Sequence, residues 1–121
     1  MLNCLAVGCG GFIGAVLRYL VGLIKINEGF AFPIKTLFIN VLGAFAIGVI
    51  AALSLKGADL DPRLVLFLKV GICGGFTTFS TFALESVQLF QSGRVWVTVM
   101  YMVLSVVLSI LAVFAAEAIV K

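Results

Sequence analysis

The sequence predicts an all-α integral membrane protein with four transmembrane helices, the third broken near the middle of the bilayer. Three observations carry this prediction. Of the 121 residues, 64% are hydrophobic and only 11% charged, with a mean hydropathy of +1.32; a soluble domain carries about 25% charged residues. The apolar residues fall into four runs, each long enough to cross the hydrocarbon, which takes about 20 residues of helix. The third run contains "GICGGFTTFSTF", residues 71–82, whose three glycines and four hydroxyl residues do not belong in a continuous apolar helix.

The first span runs from about Leu2 to Ile24. It starts without a basic n-region, and "GFIGAVLRYL" offers no clear cleavage site, so it reads as a retained helix and not a signal peptide. Gly10 and Gly14 make a G-x-x-x-G step for close helix packing. Arg18 lies near the end of the span; it reads either as a snorkelling anchor or as part of an anion-attracting vestibule. The loop "KINEGFAF" follows. Pro33 suits the first helical position, and the second span continues to about Leu55, with a ladder of Ala44, Gly48 and Ala52 along one face. Asn40 sits inside this span. A polar group there reads as an interhelical hydrogen bond or as a donor on a path.

"KGADLDPR" is the clearest polar loop, with Asp59 or Asp61 as N-cap candidates. The third span runs from about Arg63 to Phe90. Gly71 and Gly75 form a second G-x-x-x-G step, and Glu85 falls late in the span, placed for an interfacial ion pair or for the end of a path. "QSGR" turns the chain into a fourth span from Val95 to Val120. There Thr98, Tyr101, Ser105 and Ser109 recur at i, i+3, i+7 and i+11, which draws one polar stripe along one helix face. The stripe is rich in hydroxyl donors and has no carboxylate, a chemistry that suits an anion better than a cation. The whole chain is one domain, residues 1–121.

Composition excludes several classes. There are three cysteines and no histidine, with no metal-ligand spacing, so neither a disulfide framework nor a zinc or redox centre is expected. A net charge of +3 on such a chain points to lipid headgroups, not nucleic acid. No nucleophile and base are spaced as in an enzyme. The eight basic residues divide evenly between the two sides of the membrane: Lys56, Arg63, Lys69 and Lys121 on the terminal side, and Arg18, Lys25, Lys35 and Arg94 on the other. Orientation normally follows an excess of Lys and Arg on the cytoplasmic side. Four against four leaves two readings: a weak bias settled by details such as a deeply placed Lys69 or Arg18, or insertion both ways up with pairing as an antiparallel dimer.

The broken helix has its own chemistry. Freed backbone groups at membrane depth are tolerated only in protein or beside a cavity. Such breaks turn carbonyls toward a cation or half-helix N-termini toward an anion. Phe79 and Phe82 share a face of the second half-helix beside Ser80 and Thr81. The edge of an aromatic ring is electropositive. Many weak donors of this kind replace an ion's hydration without trapping it, as conduction requires. With eleven phenylalanines in the chain, packing and lipid contact are the competing explanation.

Over essentially its whole length the chain resembles the Fluc (CrcB) family of bacterial fluoride channels. The resemblance rests on "GGFIGAVLRY", "TLFINVLGAFAIG" and "GICGGFTTFSTF", with no departure at the motif positions beyond apolar exchange such as Ile39. It implies a four-helix subunit of the bacterial cytoplasmic (inner) membrane that assembles as an antiparallel, dual-topology homodimer. It further implies that carbonyls of Gly74 and Thr77 from both subunits hold one central, structural sodium ion. Two pores would form per dimer. In each, Phe79 and Phe82 would be ring-edge fluoride contacts, Asn40 an amide donor, and Ser80, Thr81, Tyr101, Ser105 and Ser109 part of the polar track. Arg18 would match the vestibule residue and Glu85 the acidic residue near the pore end. The implied role is passive fluoride export: hydrogen fluoride enters from acidic surroundings, ionises inside, and leaves as the anion.

Three other classes compete. A small multidrug transporter of similar size needs a carboxylate in its first span, and this first span has none. A proton-coupled fluoride exchanger needs a coupling carboxylate, for which Glu85 is the only candidate near the path. A non-transporting assembly subunit would use the small-residue faces but leaves the third-span motif and the fourth-span stripe unexplained.

Overall fold

Four antiparallel spans fold back on one another, and the details of their ends explain why each stops where it does. The computed structural model describes residues 1–26 and 32–121. Helix α1 is Leu2–Gly22 and α2 is Ile34–Leu55; α3 comprises residues 62–76, α4 is Phe79–Gln91 and α5 is Val95–Val120. The third span, Pro62–Gln91, is thus α3 and α4 with Thr77 and Thr78 between them. All four spans are long and apolar enough to cross a membrane.

The ends differ from expectation by a residue or two. Pro33 stands at the N-cap of α2 and not at its first helical position. The first span stops at Gly22, before Ile24, and α3 begins at Pro62 because Asp61 caps it, accepting from the Arg63 N–H at 2.8 Å. Helices α2 and α4 end alike. Gly57 (φ +87°) and Gly93 (φ +83°) adopt the left-handed conformation. Each pair of N–H groups then turns back onto the preceding turn: Gly57 to Ser54 and Ala58 to Leu53, Gly93 to Phe90 and Arg94 to Leu89. Glycine alone takes this conformation without a steric cost, which is why "LKGA" and "QSGR" stop helices. Most of the loop "KINEGFAF" lies outside the described residues.

Within α3, residues Leu66–Cys73 are π-helical, a widened turn rare in proteins and often found near functional positions. No sequence signal announces it. Against it lies α1, joined by the two G-x-x-x-G steps. A Cβ on Gly71 would stand 2.8 Å from Gly10 Cα, and one on Gly75 would stand 2.6 Å from Gly11 O. The backbones therefore touch, the arrangement expected where lipid provides no hydrophobic drive and packing must hold helices together. On the other side α2 packs along α5. Gly48 is the tight point of its small-residue ladder: a Cβ there would meet Ala116 Cβ at 2.9 Å.

Two lysines cap helix C-termini, Lys35 Nζ on Gly22 O at 2.9 Å and Lys56 Nζ on Val120 O at 2.8 Å. Arg63 Nε reaches Asn3 Oδ1 at 3.3 Å. The Lys56 and Arg63 contacts gather both chain termini and the α2–α3 loop at one end, as four spans require, while Lys35 ties α1 to α2 at the other. The interior is unusual. Among the described residues the buried side chains are Ile39, Cys73, Leu89, Tyr101 and Ala116, together with Thr36, Ser86, Thr98 and Ser105. Four of these nine side chains are polar beneath an apolar surface; Ser86 and Thr98 bond back to their own helices, Thr36 to Glu85, and Ser105 has no partner among the described residues.

Candidate functional site: a broken helix beside a polar cleft

The break is built from two extended residues, Thr77 (φ −82°, ψ 159°) and Thr78 (φ −149°, ψ 122°). In a continuous helix each carbonyl would accept from the N–H four residues on. Here side chains divert those donors. The Thr78 N–H goes to Asn40 Oδ1 at 2.8 Å, while Asn40 Nδ2 donates to Thr78 O at 3.0 Å, so the amide of α2 pairs with the opened peptide as another strand would. The Thr81 N–H goes to Thr78 Oγ1 at 3.2 Å, an N-cap for α4. Thr77 N–H and Oγ1 both donate to Cys73 O, at 3.0 and 2.9 Å, closing the last turn of α3. Arg18 Nε donates to Gly75 O at 3.3 Å.

The consequence is selective. The N–H groups of Thr78 and Thr81, the helical partners of Gly74 O and Thr77 O, are spent on Asn40 and Thr78 side chains. Among the described residues no hydrogen bond reaches the carbonyls of Gly74, Phe76 or Thr77. Hard cations take oxygen ligands of this kind. Gly74 is exposed, and a Cβ on it would meet nothing within 4 Å.

Beside the break lies a cleft of about 360 Å³ between α2, α4 and α5. Asn40, Thr77, Thr78, Phe79, Phe82, Ser105 and Ser109 line it, with Gly43, Ala44, Ile47, Cys73 and Val106. The rings form a chain: Phe79 and Phe82 are 5.6 Å apart and tilted by 47°, and Phe82 and Tyr101 are 5.1 Å apart and tilted by 51°. Phe32 meets Tyr101 edge-on at 5.5 Å. Among the described residues no carboxylate lines the cleft.

Beyond Phe82, Tyr101 is fully buried and its hydroxyl donates to Glu85 Oε1 at 2.8 Å; Thr36 Oγ1 donates to the other carboxylate oxygen at 3.0 Å. Glu85 is therefore satisfied by two hydroxyls, and among the described residues it makes no ion pair of the kind its interfacial position suggested. Farther along α5, the Ser105 hydroxyl is buried and has no hydrogen-bond partner among the described residues. Thr98 bonds back to Arg94 O at 2.8 Å and so drops out of the stripe.

Of the residues singled out in the sequence, Asn40, Thr77, Phe79, Phe82, Ser105 and Ser109 meet at the cleft. Tyr101 joins through its contact with Phe82 and brings Glu85 with it. Ser80 is exposed, with its hydroxyl 3.5 Å from that of Thr78, and neither Ser80 nor Thr81 lines the cleft. Arg18 stands on the α1 side of the break and Gly74 faces outward. Thr36 was missed, and Thr78, legible as part of the break, was not read as its N-cap. Thr36 lies one helical turn before Asn40, a spacing that places both on one face. Thr78 precedes an apolar helical run and is a good N-cap type, a signal hidden inside a longer motif.

Comparison with known proteins follows the same residues. A family model described as CrcB-like protein, Camphor Resistance (CrcB), matches residues 5–117. A protein of Ruminiclostridium cellulolyticum named fluoride-specific ion channel FluC is 45% identical over 123 residues, covering 100% of this chain and 94% of the relative. One of Rhizobium meliloti with the same name is 45% identical over 122 residues, covering 100% and 98%. One of Shewanella halifaxensis, again so named, is 43% identical over 118 residues, covering 97% and 94%.

Proposed function

The chain belongs to the CrcB/FluC family of fluoride channels, multi-pass proteins of the bacterial inner membrane, and on that premise we propose that it is a fluoride-selective passive channel. Two antiparallel copies form the working unit, with two pores and one central structural sodium ion. Fluoride leaves the cytoplasm down its electrochemical gradient.

The observation that carries this reading is the cleft: aromatic rings, hydroxyls and an amide together, without a carboxylate among the described residues. Taking a small anion out of water is expensive in a low-dielectric medium, and this lining repays it with several weak donors. Of the two Asn40 N–H bonds, Thr78 O takes one, and the other remains for an anion. Tyr101 and Thr36 spend their protons on Glu85, whereas Ser105 has spent none among the described residues. Ser105 and Ser109 therefore continue the path as donors. Phe79 and Phe82 would offer ring edges to a passing ion, and among the described residues no full positive charge lines the cleft to trap it.

The carbonyls of Gly74 and Thr77, left without donors, are the fitting ligands for a cation, and two oxygens fill only part of a coordination shell. A two-fold related copy supplies two more. A sodium ion so held supplies fixed positive charge and joins the two subunits. A second copy also explains the outward face of the break, where Gly74 and Ser80 are exposed and Phe79 is 78% exposed.

The test is fluoride efflux from potassium-loaded liposomes holding the purified protein, triggered with valinomycin and read with a fluoride electrode. Voltage-driven fluoride release without chloride release is expected. No release from folded protein would overturn the channel.

A further inference from the structure

We propose that Arg18 is a positioning residue of the permeation path, which fixes the broken helix by occupying the Gly75 carbonyl, and that conduction needs its Nε donor and not its charge. This rests on the channel reading above. In an unbroken helix Gly75 O would accept from the Phe79 N–H. The extended residues Thr77 and Thr78 remove that donor, because Phe79 opens a new helix. The stranded carbonyl lies where α1 is in close backbone contact with α3. A Cβ on Gly75 would stand 3.0 Å from Gly11 Cα, and one on Gly14 would stand 3.1 Å from the carbonyl carbon of Gly75. At such close approach a side chain from α1 itself is the natural partner, and a stranded carbonyl in a low-dielectric setting costs stability until it finds one.

Arg18 is that partner. It stands one turn beyond Gly14, is half-buried, and donates through Nε at 3.3 Å. With Asn40 on Thr78 and Thr78 Oγ1 on Thr81, it completes a three-point brace reaching the break from both α1 and α2. The brace closes Gly75 O and leaves Gly74 O, Phe76 O and Thr77 O without donors among the described residues. Without Arg18 a fourth carbonyl is loose at the break, and the position of Thr77 and Phe79 relative to the cleft is no longer held from the α1 side. A vestibule charge would act through its net positive field; the bonded Nε acts through geometry.

Three substitutions separate the two. Arg18→Gln places its side-chain nitrogen at the same number of bonds from Cα as Nε, so it keeps the donor and loses the charge. Arg18→Lys keeps the charge and moves the donor one bond farther out. Arg18→Met loses both. Fluoride efflux and hydrogen exchange of amides 75–82 are measured for each, with assembly checked by size-exclusion chromatography. Efflux of Arg18→Gln near wild type is expected, with Arg18→Lys and Arg18→Met lower by up to about tenfold, the equilibrium worth of one hydrogen bond, and with faster exchange across the break in those two alone. Efflux retained by Arg18→Lys and lost by Arg18→Gln, or exchange unchanged in all three, would overturn the brace. Should the wild-type protein carry no fluoride, the channel reading falls, while the exchange comparison still decides the brace.

Discussion

At the scale of single residues, the site is defined by which polar groups are satisfied. Asn40 was legible as a polar group in an apolar helix, but its partner was not, because the partner is a backbone peptide 38 residues away. Asn40→Ala strands both groups of Thr78 and is expected to cost about 2–4 kcal/mol in thermal unfolding and to abolish efflux. Ser105→Ala should behave oppositely. It removes a buried hydroxyl with no partner among the described residues, so stability should stay level or rise by up to about 1 kcal/mol while fluoride efflux falls. A loss of stability without a loss of efflux would show that Ser105 serves packing. Phe79→Ile and Phe82→Ile keep apolar volume but remove the ring edges; both should impair efflux in protein that still folds, and normal efflux in both would remove the aromatic part of the mechanism. Ser80 and Thr81 stand apart from the cleft, because the N-cap at Thr78 sets the helical phase of α4 and turns them elsewhere.

At the scale of elements, glycine decides both how helices end and how they pack. The G-x-x-x-G steps of α1 and α3 were readable as packing faces, and the structure pairs them with each other. A Cβ on Gly14 would stand 2.7 Å from Phe76 N, so Gly14→Ala forces α1 off the break. The expected cost is about 1–3 kcal/mol, seen as a lower melting temperature, with efflux reduced through displacement of Thr77 and Phe79. By contrast a Cβ on Gly8 or Gly11 would meet nothing within 4 Å, and Gly8→Ala should melt like wild type. The π-helical stretch of α3 is a tertiary matter. Its pairing is one residue longer per turn than in an α-helix, and ordinary apolar residues such as Leu66 and Phe67 carry no local preference for it.

At the scale of the whole molecule, the proposed channel requires a second copy. Among the described residues four of the nine buried side chains are polar, the surface is apolar, and the break presents Gly74 outward, where an added Cβ would meet nothing within 4 Å. Gly74→Leu tests what covers that face. Within one subunit a Cβ added here would meet nothing within 4 Å, so the helices should form as before. If a second copy sits there, the assembly dissociates on size-exclusion chromatography and efflux is lost. An intact assembly with normal efflux would place the subunit contact elsewhere. The even division of eight basic residues makes a further prediction at this scale. A tag at the C-terminus should be reachable from both sides of the membrane, and added lysines in the α2–α3 loop should bias it to one side and lower efflux.

The sequence by itself determined the membrane class, the four spans, the location of the break and most of the cleft-lining residue types. Hydropathy, helical spacing and glycine placement are local properties that a single chain displays directly. Only the tertiary structure decided what the polar groups do. Asn40 and Thr78 divert the N–H groups of the break, Arg18 answers the Gly75 carbonyl, and Thr36 and Tyr101 hold Glu85. These are pairings between residues far apart in the chain, made because a polar group held away from water must find a partner wherever the fold places one.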